Sequence, residues 1–478
     1  MREYDVVVIG AGMSGLAAAI RVGLAGRSVL LLERHEAPGG LNSFYRKDGR
    51  VHDTGLHALT NYAEPGERRA PLNKIFRQLR IPRETIDCNP QRGSRIHFPD
   101  RSLRFGNDPT LLEEEIASAF PAEIDAFRRL EEEARTFPAT DLRSTGLWAR
   151  PFLEERIADP LLREMLLCPI LYYGSATEDD LELDQFMILF RALYLEGFAR
   201  PREGVRTILR PLLKKLKEVG GERRMRCGVR RLVPAGDRIA ELELDDGTSV
   251  RAGVILSSAG RVETDRLCGL HPPEAGNLVG RLSFVETIHI HEGQPADWGW
   301  EDTVVFFSRN RPFRYRKPED AAVDPDSGVI CIPNNYEYPE GRALPEGIVR
   351  VTAIADYDRW IHLPEPEYRQ AKEEWLERLT AVGREVLPPP RGEPGPVVAT
   401  DMFTPRTIEH FTGHLGGAVY GASEKKKDGR TAFRNLFLCG TDQGFLGIVG
   451  ALLSGISIAN RYALAIEGAA AVEGAEYL

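Results

Sequence analysis

The stretch from Tyr4 to Glu33 constrains the fold more than any other part of the chain. It runs Asp5-Val-Val-Val-Ile9, then Gly10-Ala-Gly12-Met13-Ser14-Gly15, then Leu16-Ala-Ala-Ala-Ile20. After Arg27 a second apolar run, Val29-Leu-Leu-Leu32, stops at Glu33. Short unbroken apolar runs on either side of a helical stretch predict two buried parallel strands joined by a helix. Each glycine then has its own task. Gly10 permits a sharp turn, Gly12 lets the backbone approach a pyrophosphate, and Gly15 lets the helix pack close to the strand. The pyrophosphate would sit at the helix start, near Met13 and Ser14, where unpaired N–H groups and the helix dipole favour an anion. Glu33 follows the turn by about 20 residues, where a carboxylate accepts hydrogen bonds from adenosine ribose hydroxyls. A glycine triplet alone is weak evidence. Strand, turn, helix, strand and acid in this order make a dinucleotide site.

The chain then continues beyond what a nicotinamide dinucleotide needs. Arg34 is followed by Pro38-Gly39-Gly40-Leu41-Asn42-Ser43, a second glycine pair able to wrap the far side of a larger dinucleotide. A short strand pair, Phe44-Tyr-Arg46 and Arg50-Val-His52, turns at Lys47-Asp-Gly49 and leads to Asp53-Thr54-Gly55-Leu56-His57. Gly55 would let backbone approach a flat ring. These features point to FAD rather than NAD.

The motifs GAGMSGLAAA, ERHEAPGG and HDTGLH resemble those of the FAD-dependent amine oxidase and phytoene desaturase superfamily. The likeness is greatest to its carotenoid desaturase, carotenoid isomerase and retinol saturase branch, and the HDTGLH stretch leans toward the isomerase and saturase members. Many members carry Arg after the double glycine, where this chain has Leu41; that departure weakens an amine oxidase reading. Val229 matches the family valine whose backbone meets the adenine. The strand Asn435-Leu-Phe-Leu-Cys-Gly440-Thr-Asp442, with Gly444-Phe-Leu-Gly447-Ile448-Val449 leading into a helix, resembles the C-terminal FAD signature. By that match Asp442 holds a ribityl hydroxyl or approaches a phosphate. The N–H groups of Ile448 and Val449 would favour negative charge on the reduced flavin. The family's counterpart of the loop from Asp401 to Gly421 passes the flavin ring and the substrate tunnel, which puts Phe403, Thr404 and Tyr420 among the expected substrate-lining residues.

The resemblance and the residue pattern together predict an α/β chain. A discontinuous Rossmann-like FAD-binding domain spans 1–70, 200–280 and 400–478, and an α+β substrate domain of mixed sheet and helices spans 71–199 and 281–399. The polar, basic stretch Asn61 to Glu84 is expected to leave the nucleotide domain. Strands are expected at 91–98 and 102–105, helices over 109–135, 207–219 and 368–386, and further strands at 285–291, 304–307, 329–332 and 349–354. Residues 147–198 are dense in large apolar and aromatic side chains. They read as helical core, with a pocket wall or a membrane-contacting surface as the alternative. The run Glu424 to Arg430 reads as a solvated loop, whose three lysines suit anionic lipid as an alternative.

A net charge of −9 with mixed signs argues against a nucleic-acid partner. The 6 cysteines are scattered without a CxxC, so neither a zinc site nor a disulfide framework is expected. His289 and His291 share a strand face but lack a third ligand at a useful spacing, so no metal is expected. Gln443 to Asn460 is uncharged and nearly long enough to span a bilayer, yet its glycines and its match to the flavin signature argue against a span. No signal or transit peptide is expected, since the chain enters a strand almost at once. The expected location is cytoplasmic, peripheral on the inner face of the membrane.

Asp53, Glu409, His410 and His414 lie near the expected ring contacts in sequence and are the acid–base candidates. The resulting expectation is an FAD-dependent oxidoreductase acting on a long apolar isoprenoid by desaturation, isomerisation or saturation, with oxygen or a quinone as electron acceptor. A flavin amine oxidase and a prenyl-lipid carrier resembling the GDP-dissociation inhibitors are the alternatives.

Overall fold

Val6, Val7, Val8 and Ile9 offer no polar group to either face of their strand, and all four are buried. The strand Arg2–Ile9 accordingly lies inside a sheet, with Val29–Leu32 and Ser249–Ser257 parallel on its two sides. The computed structural model describes residues 1–138, 145–270 and 278–464; the end of the expected 400–478 segment, beyond 464, lies outside them. Glu222–Arg224 extends the sheet parallel to Val29–Leu32. On the other side Leu436–Leu438 pairs parallel with the end of Ser249–Ser257, and the hairpin Val229–Ala235/Arg238–Leu244 pairs antiparallel with its start. Parallel strands thus end together on one edge of the sheet. In open α/β sheets this is the edge where ligands bind.

A second sheet runs in the order Val397–Phe403, Ser283–His291, Gly347–Ala355, Ser327–Cys331, Val304–Ser308, Ser94–Phe98, Arg101–Phe105. It is mixed, because Val304–Ser308 meets Ser94–Phe98 in parallel while its other pairs are antiparallel. Its two faces carry different cores. The helix Glu365–Val386 sets Trp375, Leu379, Val382 and Val386 against Val285, Val305, Ile330 and Val351. The helices Pro160–Gly174 and Leu183–Phe190 set Met165, Leu166, Phe186 and Phe190 into a cluster with Phe98, Phe105 and Phe306. The apolar 147–198 segment is therefore mainly core. Leu147 and Trp148, at its start, are its exposed large apolar side chains.

Two expectations change. The helix Pro71–Gln78 does not leave the core of the first sheet: Leu72, Ile75, Phe76 and Leu79 form one apolar stripe packed with Val6, Leu16 and Ile20. The lysines of 424–430 are not all solvated. Lys425 is buried, donates to the Tyr420 carbonyl and stands 3.7 Å from Asp442, while Lys427 pairs with Asp184. Asp442 and Asp184 are buried carboxylates, and buried charge persists where it is compensated. His289 and His291 face the same side but serve the fold: His289 Nε2 lies 3.0 Å from Thr380 Oγ1, and His291 Nδ1 lies 2.9 Å from the Gly395 carbonyl. Among the described residues no helix is long and apolar enough to cross a membrane, and no group of three or more His, Cys, Asp or Glu residues is placed to hold a metal ion.

Glu131, on the helix Ile124–Thr136, is buried with Oε1 unpartnered. Burial and the neighbouring Glu113 push its carboxyl up to about 7. The folded state therefore holds a proton that the unfolded chain has lost above the ordinary glutamate range. The associated stability is complete below that range and is lost as pH rises through about 7. Glu131→Gln is expected to raise the melting temperature by about 1–3 °C near pH 8.5 and to change it little near pH 5, as measured by differential scanning fluorimetry across pH.

Candidate active site

At the ligand-binding edge of the first sheet the backbone turns sharply and the side chains are small. Gly10 follows the first strand at φ 94°. An added Cβ there would lie 2.4 Å from Ser258 Oγ, the hydroxyl that closes the next strand end by donating to the Ile9 carbonyl at 2.9 Å. A Cβ on Gly15 would lie 1.9 Å from the Gly10 carbonyl oxygen, so the helix Met13–Leu24 approaches the strand only because that position is glycine. Gly12 differs from both. Its φ of −68° and ψ of 177° suit any residue. A Cβ on it would meet nothing within 4 Å. Neither backbone nor protein packing requires glycine there; the free space belongs to a cavity.

That cavity, about 760 Å³, runs from the nucleotide edge to the second sheet. Gly10, Gly12, Met13, Ser14, Glu33, Arg34, Gly39, Gly40, Leu41, Asn42, Thr54, Gly55, His57, Val229, Gly440, Asp442, Gly447 and Ile448 all line it. Glu33 is fixed by accepting from the Ala11 N–H at 2.7 Å and the His35 N–H at 2.8 Å. Arg34 donates to the His410 carbonyl at 2.8 Å. Also on the wall, Asp442 accepts from the N–H groups of Ala422 at 2.7 Å and Arg261 at 2.5 Å. The helix Gly447–Ile458 begins at the cavity with no acidic residue in its first turn.

Several expected residues lie elsewhere. Gly15 packs against the strand, as expected, and the side chain of Val449, whose expected role lies in its backbone N–H, is in the core. Thr404 is buried, caps the helix Pro405–Thr412 and is 2.8 Å from the Tyr368 hydroxyl. Asp53 is buried away from the cavity, paired with Arg200 at 2.6 Å and accepting from the Val205 N–H at 3.2 Å. Glu409 accepts from the Tyr357 hydroxyl, and His410 points to solvent. Of the four acid–base candidates only His414 lines the cavity, its Nδ1 4.0 Å from Glu263. The helical register of 405–412 decides this, and sequence distance from the flavin signature carries no information about it.

Phe403 and Tyr420 line the wall toward the second sheet, joined there by Tyr172, Tyr173, Phe284 and Leu446. Tyr173 stacks on Phe198 at 5.3 Å, and its shielded hydroxyl has no partner among the described residues. Tyr420 stands edge-on to Phe284 at 5.9 Å and donates to the Tyr172 carbonyl.

Two charged clusters on the wall escaped the sequence reading. Tyr45 and Lys47 both donate to Asp401, at 2.8 and 2.9 Å. Glu286 is buried between His57 and Arg350, with Thr352 Oγ1 3.2 Å away. Burial pushes the Glu286 carboxyl up, but Arg350 and His57 bring it below the usual carboxylate range. The sequence held a signal for this cluster. Glu286 and Arg350 are lone charges inside apolar strands, and the register pairing Glu286 with Thr352 sets Arg350 on the same face two residues away.

The donor set suits a flavin dinucleotide: a glycine turn with open space over Gly12, an acid held in place on the wall, and a second helix start lining the same cavity. Residues 13–462 match the family described as flavin containing amine oxidoreductase. The chain is 24% identical over 531 residues to prolycopene isomerase 1, chloroplastic, of an Oncidium hybrid cultivar, covering 100% of this chain and 87% of that one. It is 22% identical over 537 residues to all-trans-retinol 13,14-reductase of Danio rerio, covering 96% and 86%. The crystal structure of an oxidoreductase from Methanosarcina mazei superposes with a TM-score of 0.66 at 17% identity, over 95% of this chain and 99% of that one.

The two glycines separate binding from folding. Gly12→Ala is expected to leave the melting temperature of the flavin-free protein unchanged while weakening FAD binding by about tenfold or more. Gly15→Ala is expected to destabilise the flavin-free protein by about 1–3 kcal/mol through overpacking. Flavin titration by fluorescence and urea unfolding check the two expectations.

Proposed function

Because this chain belongs to the flavin containing amine oxidoreductase family and is an FAD-dependent oxidoreductase, we propose that its substrate is a long apolar isoprenoid, a carotenoid or carotenoid precursor, whose C=C bonds it forms, isomerises or saturates. The observation that carries this reading is the aromatic wall of Tyr173, Phe284, Phe403 and Tyr420, in the same cavity as the nucleotide edge. Apolar and aromatic side chains suit a polyene by area and shape. The carboxylates on that side do not suit an ammonium: Glu286 is held by Arg350 and His57, and Asp401 by Lys47 and Tyr45. An amine substrate would meet no uncommitted negative charge there.

When bound, the flavin supplies hydride exchange at N5. The chain supplies the rest. The N–H groups at the start of Met13–Leu24, beside Gly12, would hold the pyrophosphate, with Glu33 on the adenosine ribose and Val229 by the adenine. Asp442 would hold the ribityl side, and the Ile448 N–H would face the ring's negative edge. Tyr173, Phe284 and Tyr420 would orient the polyene and exclude water, a proximity effect that an apolar substrate with few polar handles relies on. So insoluble a substrate favours peripheral contact with the inner face of a membrane, by a protein otherwise cytoplasmic. Oxygen or a quinone would reoxidise the flavin.

The test is a pigment chromatogram, with diode-array detection, from hosts making phytoene or poly-cis carotenes and expressing this chain. New longer-wavelength peaks identify desaturation. A shift confined to cis–trans isomers identifies isomerisation, and shorter-wavelength products identify saturation. Unchanged profiles in both hosts from a flavin-loaded protein, with flavin bleaching by a simple amine, would overturn the isoprenoid reading.

A further inference from the structure

Glu286 is fully enclosed and held ionised by Arg350, and a carboxylate accepts hydrogen bonds without donating any. Its contact with His57 Nε2 therefore places the imidazole proton on Nε2. The lone pair of the neutral ring is then on Nδ1. Nδ1 has no hydrogen-bond partner among the described residues, and His57 lines the cavity. We propose that His57, through Nδ1, carries the proton that the reaction takes from or gives to the polyene, with Glu286 and Arg350 as its positioning residues.

The cluster is built to hold that ring still. Arg350 binds one Glu286 oxygen, and Thr352 Oγ1 lies 3.2 Å from the other. Arg350 also donates to the carbonyls of Asp53 and Thr54, both at 3.0 Å, in the segment that carries His57. Tyr336 donates to the His57 carbonyl at 2.9 Å. Backbone and ring are thus fixed from opposite sides. A proton arriving at Nδ1 leaves the Nε2–H contact with the Glu286 carboxylate in place, so the ring keeps its orientation through the transfer. The neighbouring titratable groups are engaged or displaced from the working range. Asp53 pairs with Arg200, burial pushes the Cys331 thiol up to about 11, and burial raises the Tyr336 hydroxyl as well.

The proposal rests on the isoprenoid reading for its substrate. In dehydrogenation one carbon loses a hydride to the oxidised flavin, and its neighbour loses a proton to Nδ1. The electron pair of that second C–H bond closes the C=C. In saturation each transfer reverses, with the reduced flavin as reductant and the His57 imidazolium as acid.

The deciding experiment labels histidine with nitrogen-15 in the FAD-loaded protein and reads the tautomer of His57 by NMR, assigned by the signal lost in His57→Gln. The expected result is Nε2 protonated and Nδ1 bare, with the signal shifting in Glu286→Gln. Phytoene, prolycopene and all-trans-retinol are then offered as probes. With whichever is turned over, His57→Gln is expected to lower kcat by roughly 10²-fold or more while KM stays within about threefold. His57→Asn replaces it should His57→Gln fail to bind FAD. A proton on Nδ1, or a variant kcat within about threefold of the parent, overturns the proposal. Turnover of none of the probes by the parent protein counts against the isoprenoid reading instead, and the tautomer then decides the role of His57 alone.

Discussion

A contact between two helix backbones holds the site together. Gly455, on the helix Gly447–Ile458, packs so closely on the helix Met13–Leu24 that an added Cβ would lie 2.0 Å from the Ser14 carbonyl oxygen. The two ends of the chain meet through this contact. It sets the start of the C-terminal helix beside the glycine turn, although more than 400 residues separate them. Gly15 does the same between the first helix and the first strand. Hydrogen bonds reinforce the junction: Ser454 Oγ accepts from the Gly440 N–H at 2.6 Å and donates to Gln443 at 2.6 Å. One cavity lined by two helix starts follows from these approaches.

Charge is handled by one rule around that cavity. Buried Glu286 and Asp442 and half-buried Asp401 are compensated by groups drawn from distant parts of the chain: Glu286 by Arg350, Asp401 by Lys47, Asp442 by backbone N–H groups with Lys425 nearby. A carboxylate stripped of such partners in so enclosed a place would take up a proton. The compensation leaves the wall with fixed dipoles and little free charge. Such a surface suits a neutral polyene better than a small cation.

The dinucleotide half of this account was legible in the sequence because its determinants are local. Gly10, Gly12, Gly15 and Glu33 act within one strand–helix–strand unit, and the run from Asn435 to Val449 is equally compact. The three glycines divide the work as their spacing implies: Gly10 turns the strand, Gly15 packs the helix on it, and Gly12 opens onto the cavity. The second half depends on pairing across sequence. Glu286 meets Arg350 through strand register and meets His57 from 229 residues away in the chain, and no spacing rule connects 57, 286 and 350. In the sequence His57 only closes the stretch whose Gly55 is expected to approach a flat ring, while Asp53, Glu409 and His410 stand out by sequence proximity alone. The burial of Lys425 was hidden for the same reason, since the acid beside it lies on the far side of a turn.

A crystal structure of the FAD-loaded protein grown with a bound polyene would test the central claim most directly. The account predicts the flavin stretched from Glu33 to Ile448, with the polyene against Tyr173, Phe284 and Tyr420 and its reacting carbons within reach of His57 Nδ1. A polyene bound outside this cavity, or an aromatic wall closed off from the flavin, would contradict it.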